Sequence, residues 1–494
     1  YSMITFLICL TALVVAYFTY GKYLEKVCEI NPENPVPSKT LYDGVDYMPL
    51  PRWRIFLIQL LNIAGLGPIF GALLGAAYGP VAFLWITLGG IFIGAMHDFV
   101  AGVISLKNVG LSLPEIIGKY MGEGTRKFMR IAALLLMVLV GAVFMSQPAE
   151  LIAANISMPS LETTMSATMS WEVFVVVLLI LLYYILATIM PIDKIIGRIY
   201  PVFGLAVLVM ALGILGVLLF NTDKYVIPEL TSLQNCIANA KDFPIVPMLF
   251  TTIACGAISG FHATQSPMMA RCMTNEKQAR SIFYGAMIAE SIIALIWAAI
   301  GMAFWGGVEG LNVAIAEYGG SAAKMVDVIT GTTLGPVVAA CVLVGVVGCA
   351  VTSGDTAFRS ARLIVADMLN FDQRPIWKRL VVSLPLFAAG IGIAFIDFDV
   401  IWRYFAWSNQ GLSVLTLWMI TAWLMHRRSR FVLLAMIPAI LMTYICSTFV
   451  FVSDQFIGMG GVDAAYIYGG AVTAIIAGLL IMKIRRDIKH ETNI

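Results

Sequence analysis

Ile63-Ala-Gly-Leu-Gly-Pro-Ile-Phe-Gly71 and Cys255-Gly-Ala-Ile-Ser-Gly-Phe-His-Ala-Thr-Gln-Ser-Pro267 are the two stretches whose reading decides the fold of this chain. Each sits inside an apolar run long enough to cross a hydrocarbon core about 30 Å thick, which takes roughly 20 helical residues. Each also interrupts that run. Gly65 and Gly67 relax the backbone of the first and Pro68 removes a donor, while Gly256, Gly260 and Pro267 do the same among polar side chains in the second. Unwound backbone is tolerated at membrane depth only where it is buried in protein or lines a wet cavity, so both breaks mark a candidate site. The two runs lie five spans apart, an odd number, and therefore cross in opposite directions. That is the arrangement of two inverted five-helix repeats whose discontinuous first helices meet at the midplane. The competing reading is that the glycines only let helices pack closely.

The rest of the chain agrees with a membrane setting. Of its 494 residues 60% are hydrophobic and only 12% charged, with mean hydropathy +0.89, which leaves no room for a large soluble domain. Thirteen spans are expected, beginning near Met3, Trp53, Val81, Phe128, Trp171, Ile195, Val246, Arg280, Ala322, Ile376, Val400, Phe431 and Ala464. Lys and Arg gather in alternate connections, from Lys22–Arg54 to the Lys483–Lys489 tail, whereas Tyr78–Pro80, Ser157–Trp171 and Ser453–Asp463 are nearly free of them. The alternation puts the basic set and the C-terminus in the cytoplasm and the N-terminus outside. Tyr1 and Ser2 read as a cloning scar ahead of a natural start at Met3. The first apolar run reads as a retained helix, because Lys22 and Lys26 follow it and no basic residue precedes it. The expected plan is one transmembrane unit: a leading helix over 3–27, repeats over 53–220 and 245–425, and two closing helices over 430–486. The net charge of +2 argues about topology and not about nucleic acid. Eight cysteines without a CxxC pair read as small buried hydrophobes.

Polar residues inside spans are the candidate site, since a charge in hydrocarbon is costly unless it faces a cavity or a partner. His262 in the second break is the leading one, able to bond a substrate carboxylate or to change charge. Ser259, Gln265 and Ser266 beside it offer neutral donors and acceptors. His97 and Asp98 form an imidazole–carboxylate pair that suits a proton relay. Their place near the end of the third span favours a capping role instead. Glu290 in the eighth span and Glu150, after Pro148 in the fourth, are further proton-carrying candidates. Thr352, Ser353 and Asp355 in the ninth span offer oxygens for sodium with carbonyls of the first break; alternatively Asp355 pairs with Arg359 at i, i+4. Sodium and proton coupling both stand.

Asp43-Gly-Val-Asp-Tyr-Met-Pro49, the break at 63–71, Gly94-Ala-Met-His-Asp-Phe99, Ser259-Gly-Phe-His262, Gly354-Asp-Thr-Ala-Phe-Arg-Ser-Ala-Arg362 and Asn409-Gln410 together resemble the carbon starvation protein A family over most of the chain. The resemblance implies an all-α, LeuT-like transporter of the amino acid, polyamine and organocation superfamily, with uptake of peptides or pyruvate proposed for relatives. The chain departs from longer relatives in its shorter C-terminal part and in the Ala-Thr-Gln-Ser-Pro run after His262.

No HExxH, GxSxG, P-loop or ligand-spaced Cys/His set is present and the four histidines stand apart in sequence, so an enzyme is not expected, nor any cofactor or metal site beyond a coupling sodium at Thr352 and Ser353. A channel would want a repeated filter segment, and none is visible. The expectation is a secondary transporter in a bacterial inner membrane that imports small polar metabolites by alternating access. Its partners are substrate, coupling ion and lipid; an amino-acid/cation symporter and an ion channel are the alternatives.

Overall fold

A computed structural model describes residues 3–155, 169–192, 194, 196–396 and 398–492. The Ser157–Trp171 connection and the start of the sixth span at Ile195 therefore fall largely outside the described residues, and so does the side chain of Cys341.

Within them the chain is helical, with no strand. Among the described residues nine helices are long and apolar enough to cross a membrane, from Ile4–Val27 to Asp463–His490. A bent pair, Arg52–Ala64 with Gly67–Tyr78, makes a tenth by turning 54° at the first break. The expected seventh, ninth and eleventh spans are helical too, but are interrupted or carry polar side chains in their interior. The seventh is in pieces: Ile245–Leu249 and Phe250–Thr252, then irregular backbone, then Gly260–Ala270. The ninth, Ala322–Leu369, is 48 residues long, far more than a bilayer needs, and its helical backbone is broken at Gly335, where φ is +72°.

The bend in the second span has a local cause. Ala64 ends a regular helix; Gly65 takes φ +49°, ψ −136°, which an L side chain adopts only under strain, and Pro68 opens a wide turn over Gly67–Gly71. Wide turns recur at Trp85–Gly94 and Arg280–Tyr284, in the spans that follow each broken one. The outer helices keep lipid-facing sides: Trp171–Ile189, Ile376–Ala394 and Asp463–His490 are buried over only 33%, 28% and 22% of their apolar lengths, as suits a bilayer-facing helix. The third and eighth spans are buried over 83% of theirs and form the centre.

Candidate functional site

The two breaks meet. A Cβ on Gly67 would lie 2.3 Å from Cys255 Cβ, so only glycine lets the first break seat against the second. Backbone groups freed by the unwinding are met by side chains from four other spans. Trp85 Nε1 donates to Ile253 O at 2.8 Å and Ser291 Oγ to Gly256 O at 2.9 Å. Ser353 Oγ donates to Leu61 O at 2.7 Å, and Cys349 Sγ to Gly65 O at 3.2 Å. Asn409 accepts from Phe261 N at 2.8 Å and Ser259 Oγ at 2.9 Å, while Gln410 Nε2 donates to Phe250 O at 2.7 Å. The neighbouring amides of the eleventh span thus hold the two halves of the seventh. These bonds satisfy backbone groups that hydrocarbon would leave without partners.

Beside the contact lies a chain of titratable side chains without solvent exposure: His97, Asp98, His262 and Glu290. Asp98 bridges the two histidines, Oδ1 to His97 Nδ1 at 2.7 Å and Oδ2 to His262 Nδ1 at 2.8 Å. A carboxylate only accepts, so each ring carries its proton on Nδ1 and, when neutral, leaves Nε2 as an acceptor. His262 Nε2 faces Glu290 Oε2 at 3.3 Å. One proton satisfies that contact: on Glu290 it donates to Nε2, and on His262 it makes an imidazolium between two carboxylates. Cys255 Sγ completes a sulfur, nitrogen and carboxylate-oxygen set with His262 and Glu290, all within 4.8 Å. Those donors suit a soft divalent cation as well as a proton.

The placement corrects several sequence expectations. His97 and Asp98 do not cap a helix end: the third span runs Val81–Lys107, and the pair lies in its buried interior. Two of the four histidines, separate in sequence, share one carboxylate. Glu290 lies midway along Glu276–Phe304 and joins the cluster. Glu150 does not; it is exposed and its contact is Gln147 Nε2 at 3.4 Å. Ser353 does face the first break, but Thr352 Oγ1 turns back to Gly348 O at 2.7 Å and Asp355 accepts from Tyr200 Oη. Arg359 bonds Asp46 and Ala187 O, so the pairing with Asp355 is not formed. Ser266 Oγ returns to His262 O at 3.1 Å, and Gln265 Nε2 bonds Thr264 Oγ1 at 3.1 Å while its carbonyl oxygen has no partner.

Sequence reasoning gave Asn409 and Gln410 no role and passed over Gln59 and Asn62. The latter two precede the first break, fully buried, with both polar atoms of each amide unpaired. Four amides in otherwise apolar helices were the available signal. The described cysteines are free, and Cys236 alone among them is not buried.

Paired interruptions in contact beside a buried acid–imidazole chain define the class: a multi-pass membrane protein with the fold of inverted five-plus-five transporters. The fold matches the crystal structure of MhsT in complex with L-phenylalanine at TM-score 0.55, over 88% of this chain and 98% of that one, at 12% identity. The chain belongs to the carbon starvation protein CstA family, whose model matches residues 1–174 and 151–341. It is 43% identical over 352 residues to an uncharacterized membrane protein of Haemophilus influenzae, a match spanning 64% of this chain and 94% of that protein. It is 27% identical to the peptide transporter CstA of Campylobacter jejuni, over 57% of this chain and 47% of the relative. It is 27% identical to the pyruvate/proton symporter BtsT of Escherichia coli, over 57% and 46%. The chain spans about half the length of these two named relatives.

Proposed function

We propose that this chain is a secondary active transporter that imports small carboxylate-bearing metabolites, peptides or pyruvate, by alternating access driven by a proton gradient. The observation that carries the proposal is the contact between the two broken spans with Asp98, His262 and Glu290 buried beside it. Substrate lies between Gly65–Gly71 and Gly256–Ser266. Gly65, Gly67 and Pro68 there, with Gly256, Ser259 and Gly260 opposite, form the unwound segments that part to admit it, and the N-terminus of helix Gly260–Ala270 favours an anion. His262 and Gln265 supply side-chain donors, and Ser266 holds the turn that presents His262. The Gly65 carbonyl of the first break faces the ninth span at Cys349, and Leu61 O just before the break faces Ser353, so sodium at Thr352 and Ser353 is the second coupling reading.

The proton has a place to travel with the substrate. With Asp98 and Glu290 both ionised and the histidines neutral, two negative charges lie unneutralised in a dry core, which is costly. One proton shared by His262 and Glu290 removes half that charge, and its loss accompanies opening to the other side. The basic connections set the C-terminus in the cytoplasm of a bacterial inner membrane and the N-terminus outside. Peptide transporters and a pyruvate/proton symporter among the family's named relatives support the substrate class.

Uptake into proteoliposomes tests this with pyruvate, short peptides and amino acids, each with a proton gradient, a sodium gradient or neither. Accumulation that a protonophore abolishes, and that His262→Ala loses while the protein still inserts, is the expected result. Accumulation driven by sodium alone would move the coupling to Thr352 and Ser353; unitary currents far above carrier turnover would make the chain a channel.

A further inference from the structure

The Asp43–Pro49 segment takes no part in the site above, yet it is among the most heavily tied loops in the molecule. Asp43 Oδ1 accepts from the backbone N–H of Val45, Asp46 and Tyr47 at 2.8, 3.0 and 2.9 Å, folding the segment into a self-capped turn. The turn aims Asp46 inward, where it is 2% exposed. Its carboxylate meets Arg362 Nη2 at 3.1 and 3.2 Å and Arg359 Nη1 at 3.3 Å, both from the ninth span. The Tyr47 ring covers the Arg271 guanidinium at 4.8 Å, just past the end of the broken seventh span. Leu50 N donates to Cys272 O at 3.1 Å, and Cys272 Sγ to Asp46 O at 3.8 Å. Ile192 N donates to Val45 O at 3.1 Å, and Arg359 Nη2 to Ala187 O at 2.8 Å. One short loop thus binds the inner half of the seventh span to the ninth and to the joint between fifth and sixth. A polar cleft of about 360 Å³, lined by Asp43, Asp46, Tyr47, Arg271 and Asp367, opens beside this junction.

Arg359 has a second carboxylate in reach. Asp355 lies one helical turn before it, in the orientation, acid first, that favours an i, i+4 pair. Asp355 is buried and held instead by the Tyr200 hydroxyl, which itself accepts from Tyr183 Oη at 3.1 Å. If the loop lifts away, a guanidinium left buried and unpaired is strongly unfavourable. Arg362 keeps Gln373 Oε1 at 2.7 Å, whereas Arg359 keeps only a backbone carbonyl.

We propose that Arg359 is a charge latch at this end of the core, bound to Asp46 while that end is closed and passed to Asp355 when the 43–50 loop withdraws. Its purpose rests on the alternating-access reading, but the contacts and the test do not. The handover lets the core part without stranding a buried cation, and Tyr200 keeps Asp355 in place until Arg359 arrives.

Cys272 reports the opening, because it is buried beneath the loop with no exposure. Purified protein in detergent is pulsed with N-ethylmaleimide, and labelling of each cysteine is read by peptide mass spectrometry, with no substrate or gradient present. Asp46→Asn raises the Cys272 rate at least tenfold while buried Cys349 and Cys446 stay at their wild-type rates. In Asp46→Asn/Asp355→Asn the gain falls by threefold or more, because the open state has lost its second partner; the amide oxygen that replaces the carboxylate still accepts from Tyr200. A Cys272 rate unchanged by Asp46→Asn, or one that rises together with Cys349 and Cys446, overturns the latch. Additive effects of the two substitutions overturn the handover. Failure here leaves proton-driven uptake untouched, and failure of that uptake leaves the labelling result standing.

Discussion

Gly67→Ala is the sharpest test of the contact between the breaks. The added Cβ would sit 2.3 Å from Cys255 Cβ and 2.4 Å from its Sγ, well inside van der Waals contact, so one break must retreat from the other. Overpacking of this kind costs about 1–3 kcal/mol, and at ~1.4 kcal/mol per tenfold the closed arrangement weakens by roughly 5- to 150-fold. The structure also supplies the rescue. The next atom the new methyl meets is Cys255 Cα at 3.7 Å, an ordinary contact, so Cys255→Gly clears the clash by moving one carbon across the interface. Apparent melting temperature in detergent and initial uptake into proteoliposomes are measured for both single variants and the pair. Gly67→Ala is expected to lower both, and Gly67→Ala/Cys255→Gly to recover a large part of each. Wild-type stability and uptake in Gly67→Ala, or a double variant no better than the sum of the singles, would refute the packing of one break on the other.

Glu290→Gln keeps the shape and removes the titrating group; gradient-driven accumulation is expected to fall on the order of tenfold, ~1.4 kcal/mol, while substrate exchange across equal pH persists, and loss of exchange as well would remove Glu290 from coupling. Asn409→Ala leaves the Phe261 N–H buried without an acceptor and should destabilise the protein by about 1–3 kcal/mol, read as a lower melting temperature; no change would mean the eleventh span does not hold the break. Asp46 gives a pH prediction: burial alone would push its carboxyl up, but Arg362, Arg359 and Arg271 outweigh that and hold it at about 2. The loop's contribution, on the order of 2 kcal/mol, is therefore complete above the ordinary aspartate range near 4 and lost as pH falls through about 2. Melting temperatures followed from pH 5 downward should show Asp46→Asn with a shallower decline than wild type, and parallel curves would contradict it.

The breaks were legible because glycine and proline in a long apolar run have few structural uses, and because spans can be counted to give their opposed directions. His262 was legible for the same reason, as a titratable ring inside an interruption. Asp98 was not. Its position along a span suggested an end cap, and the partner that gives it meaning lies 164 residues away in sequence, a pairing no periodicity records. The role of Asn409 and Gln410 was hidden likewise, since what they satisfy is backbone freed elsewhere. Asp355 and Arg359 show the opposite case, a pairing that the sequence offered as one of two alternatives. Their spacing is right for a pair, yet Asp46 from a distant loop competes for the arginine and has it in this state.

The first helix carries one more implication. Its leading amides are met by Glu229, which accepts from Ile4 N at 2.6 Å and Thr5 N at 2.8 Å, across 225 and 224 residues of sequence. During synthesis that helix leaves the ribosome ahead of Glu229 and cannot be fastened to it until Glu229 emerges, roughly 10–45 s later at about 5–20 residues per second. For that interval its leading turn has no carboxylate to accept from its amides, and its fastening waits on a residue made 225 positions after Ile4.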